Sequence, residues 1–125
     1  MAAASQRLQV SAENVANASS DGPTSSASPA VQAQYAPAYA AQQVDQFATA
    51  DGGTGTVVTD VQPATVTAYD PTAPFADANG DVASPNVDTA SQAIQQATAS
   101  YDFAMNALVM RVYSQMMKQL LDVQT

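Results

Sequence analysis

From Thr89 onward the chain keeps a helical period to about Asp122. Its main apolar stripe is Ile94, Ala97, Tyr101, Met105, Leu108, Val112 and Met116, with Ile94, Met105 and Met116 recurring every eleven residues. A repeat of ~3.67 residues per turn belongs to a straight or slightly right-handed helix, not to a left-handed coiled coil. A second stripe, Phe103, Met110, Tyr113, Met117 and Leu121, falls on a different face. Asp88 is placed to cap the start, or Thr89 with Gln92 three residues on to form a capping box. A helix that is apolar on two faces needs two covers. In most proteins an ordinary core supplies both. Here the remaining ~90 residues hold too few large apolar side chains to do so. One face is therefore expected against another helix of the chain, and the other against another molecule.

The partner helix stands at the other end. Met1, Ala4, Leu8, Ala12 and Val15 recur at steps of three and four, giving a narrow stripe on a helix that runs to about Asn17. Such a stripe buries too little area to be stable alone and must lie against something. The turn letters of "ASSDGP" stop it, since Pro23 lacks a backbone donor.

Between the helices the composition changes. The chain is 46% hydrophobic, but Ala supplies much of that and buries little. Residues Thr24 to Asp51 are rich in Ala, Ser and Gln, with Tyr35, Tyr39, Val44 and Phe47 as the sizeable apolar groups, and read as short extended pieces. "DGGTGTVVTDV" is a Gly-rich turn followed by β-branched Thr56 to Val61, and "ATVTAY" continues from Ala64 to Tyr69 beyond Gln62-Pro63. Two β-branched runs around a Pro predict a small hairpin or bent strand. The expected class is α+β: paired N- and C-terminal helices (1–20 and 89–125) around a β-rich, loop-rich segment (21–88).

Charge narrows the function. The net charge is −8, and eight of the eleven acids lie between Asp21 and Asp88. Arg7, Arg111 and Lys118 are the basic residues. Phosphate binding needs several cations on one face, so nucleic acid is disfavoured, and direct lipid binding at an anionic membrane is disfavoured likewise. Without Cys there are no disulfides and no thiolate chemistry. No apolar h-region of a cleavable signal and no bilayer-length stretch is visible.

"YDPTAPFADANGDVASPNV", Tyr69 to Val87, crowds acids, prolines and turn formers together. Asp77, Asn79, Asp81 and Asp88 fall at positions 1, 3, 5 and 12 of a calcium loop. However, Val82 occupies the place where the sharp turn needs Gly, and a bidentate Glu is missing from the last position. Asp and Asn beside Gly form turns through their own side-chain hydrogen bonds, which explains the same letters. No metal or cofactor is expected. With no His and no Cys, and no G-x-S-x-G around any Ser, catalysis has no evident nucleophile–base pair. Solvated acids such as Asp70 and Asp77 have nothing apolar around them to raise a pKa for acid–base work. The chain reads as a non-enzyme.

At this point the motifs resemble a known family. "SAENVANA", Ser11 to Ala18, is similar to the S-A-x-N-x-A-N-A signature of the flagellar axial proteins. Asp70-Pro71, Pro74, Ala76-Asp77, Gly80, Val82 and Pro85-Asn86-Val87 resemble the D-P-x-x-P-x-A-D-x-x-G-x-V-x-x-P-N-V segment of the flagellar basal-body rod proteins, nearest to the proximal rod protein of the C type. Asn106 and Met117-Lys118 with Leu121-Asp122 match the last helix of that family. The chain departs from the pattern at Ala73, where His is usual, at Asp81, where an aromatic is common, and at Tyr101-Asp102-Phe103, where the family has Arg-x-Tyr.

The resemblance implies a structural rod subunit, with a sister rod subunit as the near alternative. A secreted acidic cation-binding module is the alternative from another class. It implies export by the flagellar type III apparatus without a cleaved signal, and a place in the basal-body rod in the periplasmic space. Partners would be copies of itself, other rod subunits, a rotor-ring adapter and distal rod subunits. Torque would pass through the assembly. The residues expected to pack between helices are Leu8, Ala12, Asn14, Val15 and Asn17 on the first, and Ile94, Tyr101, Met105, Asn106, Leu108, Met110, Val112 and Met116 on the last. Asp70, Pro71, Asp77, Gly80, Pro85 and Asn86 are expected to form the structural turn segment that leads into the last helix.

Overall fold

The structure, a computed structural model, describes residues 1–50 and 52–123; Asp51, Gln124 and Thr125 lie outside the described residues. Seven elements follow in order: α1 (Ala2–Ala16), α2 (Pro29–Gln34), β1 (Gln42–Ala48), β2 (Thr54–Asp60), β3 (Thr65–Tyr69), β4 (Asp81–Pro85) and α3 (Thr89–Asp122). The class is α+β with helices at both ends, as the periodicity predicts.

The end of α1 and the start of α3 are each marked by local side-chain bonds. α1 ends where Asn17 donates its side-chain amide to the Glu13 carbonyl at 2.9 Å, the carbonyl that also accepts the Asn17 backbone N–H at 3.0 Å. α3 starts at Asp88, whose carboxylate accepts the Ala90 N–H at 3.1 Å and the Ser91 hydroxyl at 2.6 Å. Those bonds, the Ser91 hydroxyl first, hold the Asp88 carboxyl below its ordinary range. α2 is a helix where extended chain is expected. Ser28 caps it and Pro29 stands in its first turn, where a missing N–H costs nothing.

The β middle differs from the expected hairpin around Pro63. β1 and β2 form one antiparallel pair, Gln42 opposite Asp60 through Ala48 opposite Thr54. β3 pairs instead with β4, Thr65 opposite Pro85 through Tyr69 opposite Asp81. The segment across Pro63 is held open by Ala41. Its carbonyl accepts the Val61 N–H at 2.8 Å, and its N–H donates to the Ala64 carbonyl at 3.4 Å. Each β-branched run is thereby sent to a different sheet. Gly22 adds a bridge to Ala83 with two 2.9 Å backbone bonds, and a Cβ there would sit 2.3 Å from the Ala38 nitrogen. Only glycine fits.

The interior is made of small residues. Among the described residues the buried apolar side chains are Ala4, Val10, Ala27, Ala41, Val82, Pro85 and Ala99, and Ser11, Asn14 and Thr24 are buried with them. No Leu, Ile, Met or Phe is among them. The accessible surface is 8397 Å², against roughly 6300 Å² for a compact monomer of this mass. The chain is about a third too open for its size.

Candidate functional site

α1 and α3 lie side by side and antiparallel, pinned by pairs far apart in sequence. Ser11 Oγ donates to the Gln92 carbonyl at 2.9 Å, and Arg7 Nη2 meets Asp102 Oδ2 at 2.5 Å. α1 also leans on the β1–β2 pair, through Asn14 to Gln42 and Gln6 to Thr56. The face of α3 that receives α1 carries Gln92, Gln96, Ala99 and Asp102, a polar and small-residue line.

This corrects the expected pairing of faces. At ~100° per residue the main stripe of α3 lies about 180° from that receiving face. Ile94 is 68% exposed and Tyr101 75% exposed. Met105, Leu108, Val112 and Met116 are exposed as well. The second stripe points the same way as the receiving face but begins at Phe103, near where α1 runs out. Met1 to Ala4, Asp102 and Asn106 line one shallow cleft, so the start of α1 is level with Asn106. Beyond it Met110, Tyr113, Met117 and Leu121 are bare. α1 therefore covers neither stripe. Leu108, Val109, Val112, Tyr113 and Met116 border an apolar groove along this free length.

The stripe expected to pin α1 is likewise turned outward. Ala4 is buried, but Leu8 and Val15 are exposed, as is Ala12. Arg7, Ser11 and Asn14, about a quarter-turn away, face inward instead. Polar bonds and small residues hold the helix pair, and the larger apolar residues of both helices are left over. The three asparagines separate in the same way. Asn14 reaches across to other elements. Asn17 and Asn106 bond the carbonyls of Glu13 and Asp102, four residues back on their own helices. Composition alone hides this, because an inward Ser and Asn read as surface.

The turn segment is built around Asp77. Its Oδ1 accepts the backbone N–H of Asn79 at 2.8 Å and of Asp81 at 3.1 Å, and its Oδ2 accepts the hydroxyls of Ser26 at 3.0 Å and Thr24 at 3.2 Å. Both carboxylate oxygens are occupied within the chain. The Asp81 and Asn79 amides, then the two hydroxyls, hold the carboxyl below its usual range. Asp70 is lowered similarly, mainly by the Thr72 hydroxyl and then by its N–H. Gly80 turns the chain at φ +86°, where a Cβ would meet Tyr69 Cε2 at 2.9 Å. Phe75 tilts against Tyr35 with ring centroids 5.7 Å apart. Pro85 is buried at the end of β4, and Asn86 donates to the Pro63 carbonyl at 2.9 Å. Pro71 packs beside Gly80. Among the described residues no group of three or more His, Cys, Asp or Glu side chains is placed to hold a metal ion. None of the helices there is long and apolar enough to cross a membrane.

These features define a class: an α+β protein whose terminal helices run side by side with most of their large apolar residues outward. Comparison with known proteins gives the particular family. The chain is 37% identical over 123 residues to the flagellar basal-body rod protein FlgC of Salmonella typhimurium, covering 94% of this chain and 84% of that protein. The FlgC of Salmonella typhi matches with the same identity and coverage. No protein-family model matches the chain. At that identity and coverage the chain belongs to the FlgC family of flagellar basal-body rod proteins.

Proposed function

We propose that this chain is a subunit of the proximal rod that polymerises through α1 and α3 and carries torque from the rotor towards the distal rod and hook. The observation that supports this reading is the apolar surplus. Both stripes of α3, and Leu8, Ala12 and Val15 of α1, are open, while among the described residues the interior holds nothing larger than Val and Asn. Covering such surfaces at ~25 cal/mol per Å² favours association strongly. Neighbouring subunits, copies of this chain and other rod proteins, are the covers. A rotor-ring adapter would meet one end of the assembly and distal subunits the other.

On this reading the chain is scaffolding, not an enzyme, and the turn segment serves to aim α3. It leaves the cell through the flagellar type III apparatus and works in the periplasmic part of the basal body. The test is a deletion strain complemented with an epitope-tagged copy. Purified basal bodies are expected to lack a complete rod in the deletion and to carry the tag in the rod after complementation. Complete rods and normal swimming without the chain would end the proposal.

A further inference from the structure

Asn14 is 1% exposed and stands where three elements meet. Its Nδ2 donates to the Gln42 carbonyl at 2.7 Å and lies 3.4 Å from Gln92 Oε1. Its Oδ1 accepts the Gln42 N–H at 3.0 Å and the Tyr39 hydroxyl at 3.1 Å. One side-chain amide thus satisfies both backbone groups of the first residue of β1, as a neighbouring strand would. The apolar contacts that α1 buries come from Ala4 and Val10. Small smooth side chains fit many rotations of a helix about equally well. Hydrogen bonds with fixed donor and acceptor positions do not.

We propose that Asn14 is the positioning residue that fixes the rotation of α1 on β1 and α3, and so decides that Leu8, Ala12 and Val15 are the face turned outward. The use of that face in assembly rests on the function proposed above, whereas the clasp itself lies within one subunit. Tyr39 is the titratable group that touches Asn14. Burial, then the charges of Glu13 and Asp60, push its hydroxyl up, so it stays protonated and donating at neutral pH.

The chain has no Cys, so single introduced thiols report cleanly. Leu8→Cys and Val10→Cys are made in the full chain with Asn14, Asn14→Asp or Asn14→Leu. Each is reacted, as dilute separate subunits, with a pyridyl disulfide that labels thiols in acid as well as at neutral pH. With Asn14 the thiol at position 8 is expected to react about tenfold or more faster than the thiol at position 10. In Asn14→Asp at neutral pH the donor is lost and a carboxylate faces the Gln42 carbonyl, so the ratio falls to within about threefold. Protonation restores a donor. The folded form then binds the proton more tightly than the unfolded chain, so the clasp is present in acid and lost as pH rises. The ratio is expected to recover near pH 4 in Asn14→Asp and to stay collapsed in Asn14→Leu. An undiminished ratio in either variant at neutral pH overturns the proposal. So does failure of Asn14→Asp to recover at a pH where the Asn14 protein keeps its ratio. If instead the chain proves not to be a rod subunit, these rates are unaffected, because no assembly is measured.

Discussion

Met110→Asp separates what the subunit needs from what an assembly needs. Met110 is 61% exposed and Leu108 is 49% exposed, on opposite sides of the free part of α3. In the separate subunit neither substitution leaves a hole. The cost is the lower helix propensity of Asp, up to about 0.7 kcal/mol. Urea unfolding followed by circular dichroism is therefore expected to move its midpoint only slightly. In the assembled state the ledger changes. Roughly 90 Å² of Leu108 is still wet in the subunit, and covering it is worth about 2 kcal/mol. An Asp in its place both forfeits that and buries an unpaired carboxylate, which costs several kcal/mol more. The same holds for Met110 if a neighbour covers its face. Both variants are expected to be exported at normal levels and to leave cells non-motile, with the subunit absent from purified basal bodies. Normal swimming with Met110→Asp would refute the argument that both faces of α3 are covered, and leave one face bare. A large loss of subunit stability with either variant would refute the reading of Leu108 and Met110 as exposed in the separate subunit.

Three further outcomes follow from local geometry. Gly80→Ala places a side chain at φ +86° and against Tyr69 and Pro71, and is expected to destabilise the subunit by about 1–3 kcal/mol, read as a lowered urea midpoint. The carboxyls of Asp70, Asp77 and Asp88 are all lowered by hydrogen bonds, so the folded state binds protons less tightly than the unfolded one. Their contribution is complete above the unfolded value of about 3.9 and is lost as pH falls through the lower folded values. Stability is thus expected to be flat from neutral down to about pH 4.5 and to fall below it, and Asp77→Asn should flatten that fall; an equally steep acid loss in Asp77→Asn would disprove its part. Arg7→Gln removes a partly exposed ion pair and is expected to cost no more than about 1 kcal/mol, with the wild type losing most of the difference in high salt.

Much of this fold is readable from spacing. The long helix of Thr89 to Asp122, the short one ending near Asn17 and both β-branched runs are strong periodic signals, because a repeated side-chain pattern reports local geometry directly. Strand pairing is not local. Nothing in "TVVTDVQPATVTAY" says that its two halves leave for different partners; that is decided by Ala41, twenty residues upstream of Val61. The facing of α1 is hidden for a related reason. Apolar periodicity identifies the face that avoids water, and here that face is exposed on the subunit, while the inward one is written in Arg7, Ser11 and Asn14. α2 is missed because six residues are too few for a period, although Ser28-Pro29 marks its start.

That inversion connects the sequence to the proposed assembly. A chain that packed Leu8 and Val15 on its own α3 would be a more stable monomer with less to offer a neighbour. Holding α1 instead by Arg7, Ser11 and Asn14 separates the two tasks. Directional polar bonds specify one arrangement within the subunit at small net stability, about 0.5–1.5 kcal/mol each. The non-directional apolar area, the larger source of free energy, remains for contacts between molecules. Weak internal and strong external cohesion also fits the proposed export and assembly, since Met110, Tyr113, Met117 and Leu121 of α3 stay exposed in the separate subunit. The same residues that make the separate subunit marginal are the ones that would make the finished assembly stiff.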